Sequence, residues 1–256
     1  MFFKSCDMLR GKGVSELRMR KRHNLEPRME RCKEYLVTEP ETRKGAWRTP
    51  GRSLNLEIGC GKGSFTCALA AAEPEQDLVA IEKVPDAMIL AMERAQAAEL
   101  RNVCFLDYDA AKLREIFNPE ELDRIYINFC DPWPKSRDAK FRLTAPSFLR
   151  IYADLLPVGG EIRFKTDNAA LFEWSVQQME QEGWILRTLT RDLHAQGIQG
   201  ILTDYERRFM EEGIPIKMLV AVRGEKTLDG RAGEPPRLRD AALADARGNR
   251  EGEETL

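Results

Sequence analysis

Residues 54–63, Leu54-Asn55-Leu56-Glu57-Ile58-Gly59-Cys60-Gly61-Lys62-Gly63, join a short apolar run to three glycines at alternate positions. The run reads as a β-strand, the glycines as a tight turn, and Ser64 to Ala72 (SFTCALAAA) as the helix leaving it. Without Cβ atoms the turn lets backbone approach a ligand closely and take positive φ. The helix start offers unpaired N–H groups and a partial positive charge, which suit a carboxylate or phosphate. Glu57 stands just before the turn, at the carboxyl end of the strand, where open α/β sheets hold their ligands. An acid there disfavours a pyrophosphate and favours an amine-bearing or cationic ligand.

A glycine-rich turn also exists without any ligand, so the details of spacing matter. The dinucleotide fingerprint G-x-G-x-x-G would place a glycine at 64, where this chain has Ser64, and Lys62 is followed by Gly63 rather than by the Ser or Thr of a phosphate-binding loop. S-adenosylmethionine fits the acid and the turn better than a dinucleotide does.

With 256 residues the chain accommodates one sizeable α/β domain with appendages, and a net charge of -2 gives no global nucleic-acid signal. Any RNA contact must come from local patches. Neither a membrane span nor a secretion leader is expected: no apolar run approaches the necessary ~18–20 residues, and charge follows Met1-Phe2-Phe3 at once. Six cysteines (Cys6, Cys32, Cys60, Cys67, Cys104, Cys130) lie dispersed without a C-x-x-C pair, which suits reduced thiols in the cytosol and no metal site. His23 and His194 are expected to be surface or structural residues.

Arg18 to Lys33 carries seven Lys/Arg against two Asp/Glu, a local charge of +5 that suits either a phosphate backbone or a solvated face. Met19 is a candidate alternative start, which an intact Met1 end would exclude. From Leu54 onward, apolar runs alternate with amphipathic stretches, the signature of a parallel α/β sheet. Strands are expected at 54–58, 77–82, 103–106, 123–129 and 161–167, with 184–190 and 216–222 as a closing pair; helices are expected at 64–72, 85–100, 144–156 and 171–182. Glu82 ends the second strand, 19 residues beyond Gly63, where Rossmann-like domains hold ribose hydroxyls. Asp107 and Asp109 compete as the acid for an adenine amino group after the third.

The fourth strand runs into Cys130-Asp131-Pro132-Trp133-Pro134-Lys135, a loop stiffened by two prolines. It sets Asp131 and Trp133 at the ligand edge, ahead of Lys135, Arg137, Lys140 and Arg142, which with Asp138 give a local charge of +3. These cations are expected on RNA phosphates, and Trp133 either stacks on a base or anchors the loop. Thr203-Asp204-Tyr205-Glu206 falls on a loop or helix start whose spacing also suits a capping box. Gly224 to Leu256, rich in Gly, Pro, Arg and Glu, reads as a disordered tail.

Together these motifs resemble the bacterial tRNA (guanine-N7)-methyltransferase family. The matching pieces are LEIGCGKGSF at 56–65, AIEK at 80–83, NFCDPWPKSR at 128–137, LTAPSFLRIY at 143–152, GGEIRFKTDN at 159–168 and TDYE at 203–206. The glycine motif is shared by many S-adenosylmethionine enzymes, whereas DPWPK followed by FKTDN and T-x-Y-E is specific. The resemblance implies an α/β, Rossmann-like class I methyltransferase fold with a mostly parallel seven-stranded sheet, helices on both faces and an antiparallel closing strand. It divides the chain into an extension (1–17), a basic arm (18–50), the methyltransferase domain (51–223) and the tail (224–256). It also implies methyl transfer from S-adenosylmethionine to N7 of guanosine 46 in the tRNA variable loop, by a cytoplasmic monomer or homodimer without metal. Carried over by motif, Glu57, Gly59, Gly61, Glu82, Asp109 and Asp131 belong to the cofactor site, and Asp131 is also the catalytic residue. Lys135, Asp167, Thr203, Asp204, Tyr205 and Glu206 match substrate-binding positions. The chain departs from the family after DPWPK, where Asp138-Ala139 and Phe141 replace the usual His and second Arg, and at Cys130, where Pro or Ser is common.

Overall fold

The computed structural model describes residues 24–225. The extension, Met19, His23, Cys6, residues 18–23 of the basic arm and 226–256 of the tail lie outside that range. Among the described residues seven strands, β1 Ser53–Ile58, β2 Gln76–Ile81, β3 Val103–Leu106, β4 Arg124–Asn128, β5 Glu161–Thr166, β6 Ile185–Thr190 and β7 Lys217–Val222, form one sheet. Their order is β3-β2-β1-β4-β5-β7-β6. The first five run parallel, and β7 is antiparallel to both β5 and β6. The order reverses between β1 and β4, so a ligand crevice opens beyond their carboxyl ends.

Among the described residues seven α-helices accompany the sheet: α1 Leu25–Arg31, α2 Ser64–Ala72, α3 Pro85–Ala97, α4 Leu113–Ile116, α5 Pro146–Leu155, α6 Ala169–Gln181 and α7 Asp204–Glu211. Proline opens α3 and α5, where its missing N–H costs nothing. Asn168 caps α6 by accepting from Leu171 N at 2.8 Å, which starts this helix two residues before the expected Leu171.

Strand alternation divides the core. Leu54, Leu56 and Ile58 join Ile125, Ile127, Ile162 and Phe164 in one cluster under α5 and α6, around Leu149, Tyr152 and Phe172. On the other face Leu78, Ala80 and Phe105 pack with Phe65 and Leu69 of α2 and Met88 and Met92 of α3. Each fully buried side chain of this size contributes roughly 1.5–3 kcal/mol. The period of two turns Asn55 and Glu57 away from the first cluster and toward the face that α2 covers, which buries a carboxyl inside the sheet.

Residues 24–50 of the basic arm pack onto the domain. Leu36 bridges Phe105, and Val37 N donates to Phe105 O at 3.0 Å beside edge strand β3. Trp47 is buried and donates through Nε1 to Ile116 O at 2.7 Å, while Arg28 Nε reaches Glu93 on α3 at 2.6 Å. Charge dominates this stretch in the sequence, yet buried Cys32, Tyr35 and Trp47 help to seat it.

Candidate active site

The glycine turn leaves β1 with φ of 77° at Gly59, 56° at Gly61 and 71° at Gly63. A Cβ at 59 or 61 would meet nothing within 4 Å, so these two positions keep an open cradle. At Gly63 a Cβ would lie 2.6 Å from Ala91 Cβ and 2.8 Å from Ala91 Cα, so this glycine is required for the packing of α2 on α3. No side chain caps α2, and its first-turn N–H groups stay available to a ligand carboxylate.

Glu57 forms the floor of the crevice at 2% exposure. Thr66 Oγ1 donates to Oε2, and Asn128 Nδ2 donates to Oε1 at 3.1 Å. Burial pushes this carboxyl up to about 7, partly offset by those two hydrogen bonds; Glu82 raises it further and Lys165 lowers it. Such a group holds a proton near neutrality and ionises when a cation arrives. The Glu82 carboxylate accepts from Gly61 N (2.8 Å), Lys83 N (2.8 Å) and Val84 N (2.9 Å), tying the end of β2 to the turn. Asp109 follows β3, accepts from Ala111 N at 2.9 Å and pairs with Lys83 Nζ. Burial works against its charge, but Lys83 and the Ala111 N–H outweigh it and hold the carboxyl below its ordinary value.

Across the crevice, β4 runs into the loop of two prolines. Phe129 and Trp133 both adopt left-handed backbone, with φ of 52° and 43°, on either side of Asp131. Asp131 is exposed at the crevice wall, as are Lys135, Arg137 and Lys140. Arg142 differs from the expectation of a phosphate contact. It is half-buried, donates through Nε to Pro132 O (3.0 Å) and through Nη2 to Trp133 O (2.9 Å), and lies over the Trp174 ring at 4.4 Å. Trp133 packs against Phe141, ring centroids 5.3 Å apart, which makes it a loop anchor. Asp167 follows β5, half-buried, and its carbonyl accepts from Lys217 Nζ at 2.8 Å.

The 203–206 segment starts α7 and splits into an inner and an outer pair. Thr203 and Glu206 form a buried capping box, Glu206 N to Thr203 Oγ1 at 2.9 Å and Thr203 N to Glu206 Oε2 at 2.7 Å. Lys165 Nζ adds a 2.9 Å bond to Glu206 Oε1, and His194 Nε2 lies 3.5 Å from the same oxygen. His194 is therefore a half-buried residue with its imidazole turned inward to a structural place. Outside, Asp204 accepts from Ser64 Oγ at 2.8 Å and faces Arg94 (3.5 Å) and Arg207 (3.3 Å), linking α7 to the helices beside the glycine turn. Tyr205 is 59% exposed and stacks on Phe129 at 5.9 Å.

Thr66, Asn128 and Lys165 take part in this site without having been singled out as site residues in the sequence. Asn128 and Lys165 carried a usable signal: each is a polar side chain at or next to the carboxyl end of a parallel strand, on the same face as Glu57. Among the described residues no His/Cys/Asp/Glu group is arranged to hold a metal ion, and no helix is long and apolar enough to cross a membrane.

A sheet of this order, a glycine turn after β1 and acids at the ends of β1, β2, β3 and β4 define a class I S-adenosylmethionine-dependent methyltransferase. The donor set fits that cofactor: an open cradle, a buried carboxyl for a cation, and two further acids along the crevice. A family model for putative methyltransferases matches residues 51–219. The tRNA (guanine-N(7)-)-methyltransferase of Lachnoclostridium phytofermentans is 43% identical over 195 residues, 74% of this chain and 91% of that protein. Those of Streptococcus equi subsp. zooepidemicus (39%; 80% and 99% covered) and Listeria monocytogenes (40%; 76% and 92%) are similar to the same extent. The chain belongs to this tRNA (guanine-N7)-methyltransferase family. The solved 16S rRNA methyltransferase KamB shares the fold, with a TM-score of 0.52 at 17% identity over 78% of this chain and 94% of that one.

Proposed function

We propose that this protein transfers the methyl group of S-adenosylmethionine to N7 of guanosine 46 in the variable loop of tRNA, in the cytoplasm. The observation that carries this reading is the placement of Asp131, exposed on a braced loop at the end of β4, beside the strand whose turn builds the cofactor cradle. S-adenosylmethionine supplies an electrophilic methyl on a sulfonium. Guanine N7 already presents an in-plane lone pair, so the protein needs no strong base. Its main task is to bring N7 and the methyl carbon into line.

Glu57 would hold the cationic part of the cofactor, Glu82 and Asp109 its ribose and adenine, and the glycine turn would admit it closely. Positive charge passes to the purine as the bond forms. A fixed carboxylate at Asp131 then stabilises the transition state more than the neutral base, and orients the guanine before transfer. Lys135, Asp167, Asp204 and Tyr205 line the substrate side, with the Tyr205 ring as a stacking platform. Thr203 and Glu206 act from beneath, through the fold of α7. Exposed Lys135, Arg137 and Lys140 meet tRNA phosphates, so affinity falls steeply with salt.

The test is transfer from labelled S-adenosylmethionine to an unmodified tRNA, against the same tRNA with adenosine at position 46. Label that maps to N7 of that guanosine, and is absent from the variant, supports the reading. Equal incorporation into both contradicts the assigned position, and no incorporation into any tRNA contradicts the substrate.

A further inference from the structure

The cations after the two-proline loop divide by burial. Lys135, Arg137 and Lys140 point to solvent, while Arg142 turns inward and spends its planar fork on the backbone of the loop itself. The loop needs such a donor. Pro132 and Pro134 have no N–H with which to fasten it, and left-handed backbone at Phe129 and Trp133 flanks Asp131 with conformations that bulky residues rarely hold unaided. The carbonyls of Pro132 and Trp133 are the groups Arg142 bonds, immediately after Asp131 in the chain. Its guanidinium is seated in turn on Trp174 of α6, and α6 buries Leu171, Phe172, Val176 and Met179 in the core.

We propose that Arg142 is a positioning residue for methyl transfer: through two loop carbonyls and the Trp174 seat it fixes where Asp131 stands, and it does not bind tRNA phosphate. This rests on the reading of Asp131 as the group beside the reacting guanine. A lysine keeps the charge at 142 but provides neither the fork nor the plane, so Arg142→Lys separates the two roles. A phosphate contact tolerates lysine; a brace does not.

The experiment compares the full chain with Arg142→Lys, Arg142→Ala, Trp174→Leu and Lys140→Ala. It measures turnover at saturating cofactor and tRNA, tRNA affinity against salt, and hydrogen exchange of the 129–137 backbone. Both Arg142 variants are expected to lose turnover on the order of 100-fold, as a small misplacement of a reacting group does, with tRNA affinity within about two-fold and an unchanged salt slope. Exchange rises in 129–137 and not elsewhere, and ethylguanidinium restores part of the turnover of Arg142→Ala. Trp174→Leu, which retains the Arg142 charge, shows the same pattern more weakly. Lys140→Ala does the reverse, weakening tRNA affinity and flattening the salt slope by about one phosphate contact, with no rise in exchange at 129–137.

Near wild-type turnover in Arg142→Lys overturns the proposal, and so does a flattened salt slope in Arg142→Ala with turnover kept. Should an Arg142 variant not fold, the Trp174→Leu exchange and turnover decide. A wild-type protein that methylates no tRNA refutes the substrate reading instead, and the exchange of 129–137 still decides whether Arg142 braces the loop.

Discussion

Glu57 and Asp131 stand at the carboxyl ends of neighbouring strands, and the protein treats them in opposite ways. Glu57 is sunk beneath α2, held by Thr66 and Asn128, and pushed up to about 7 by burial. Asp131 is open to solvent, and what is fixed around it is backbone: two prolines, two left-handed residues and the Arg142 fork. The floor of the crevice thus sets the charge state of a buried group, whereas the wall sets the position of an exposed one. Substitutions in the floor are expected to act on stability and cofactor binding. Those in the wall are expected to act on turnover and tRNA, leaving the fold intact.

The largest effect on the fold belongs to Glu206, which extends the floor under α7. Glu206→Gln leaves the buried Lys165 ammonium without the carboxylate it is paired with, and we expect a loss of about 3–5 kcal/mol in urea unfolding. A loss below 1 kcal/mol would show that the floor tolerates a broken pair. Next comes the pH dependence of Glu57. Its native pKa is raised, so the folded chain keeps a proton that the unfolded chain releases between 4.5 and about 7. Stability from this group is complete below pH 4.5 and lost as pH rises through 7, by roughly 3 kcal/mol over the window. Cofactor affinity runs the other way, rising toward pH 7 and levelling above it, because a cation favours the ionised form. Glu57→Gln should flatten both curves. Persistence of either curve in that variant would assign it to another group.

Smaller again is the contrast between two glycines of one turn. Gly63→Ala meets Ala91 and a positive φ together, and is expected to destabilise by about 2–3 kcal/mol. Gly61→Ala meets only the φ penalty, about 1 kcal/mol, and should reveal itself mainly in weaker cofactor binding. Equal losses of stability at both would remove the distinction between packing and cradle. Least of all, Tyr205→Ala in the wall should weaken tRNA binding by about 1 kcal/mol, roughly five-fold, with unfolding unchanged.

Much of this floor was legible in the sequence because it is written in local patterns. Glycines at alternate positions, acids closing apolar runs and the strand–helix alternation gave the order of elements and pointed to Glu57 and Glu82, while the choice of Asp109 over Asp107 came only from the family resemblance. The wall was legible as a motif but not as a mechanism. Arg142 looks like one more cation in a basic run, and only the folded chain shows its fork turned back onto carbonyls 132 and 133. The same holds for Glu206: its Thr-x-x-Glu spacing suggested a capping box, yet the partner that makes its charge tolerable, Lys165, lies 41 residues away on β5. Long-range pairings of this kind have no signature along the chain. In the arm, conspicuous positive charge drew attention away from Tyr35 and Trp47, whose burial fastens it to the sheet.

The most direct test of the account is the single-turnover rate of Asp131→Asn with saturating S-adenosylmethionine and tRNA, measured beside the affinity for each. We predict a rate lower by on the order of 100- to 1,000-fold, the usual loss when one electrostatic stabiliser is removed, with both affinities within a few-fold and unfolding unchanged. A rate near that of the wild type, with both ligands bound as before, would contradict the role assigned to the wall and to the loop that holds it.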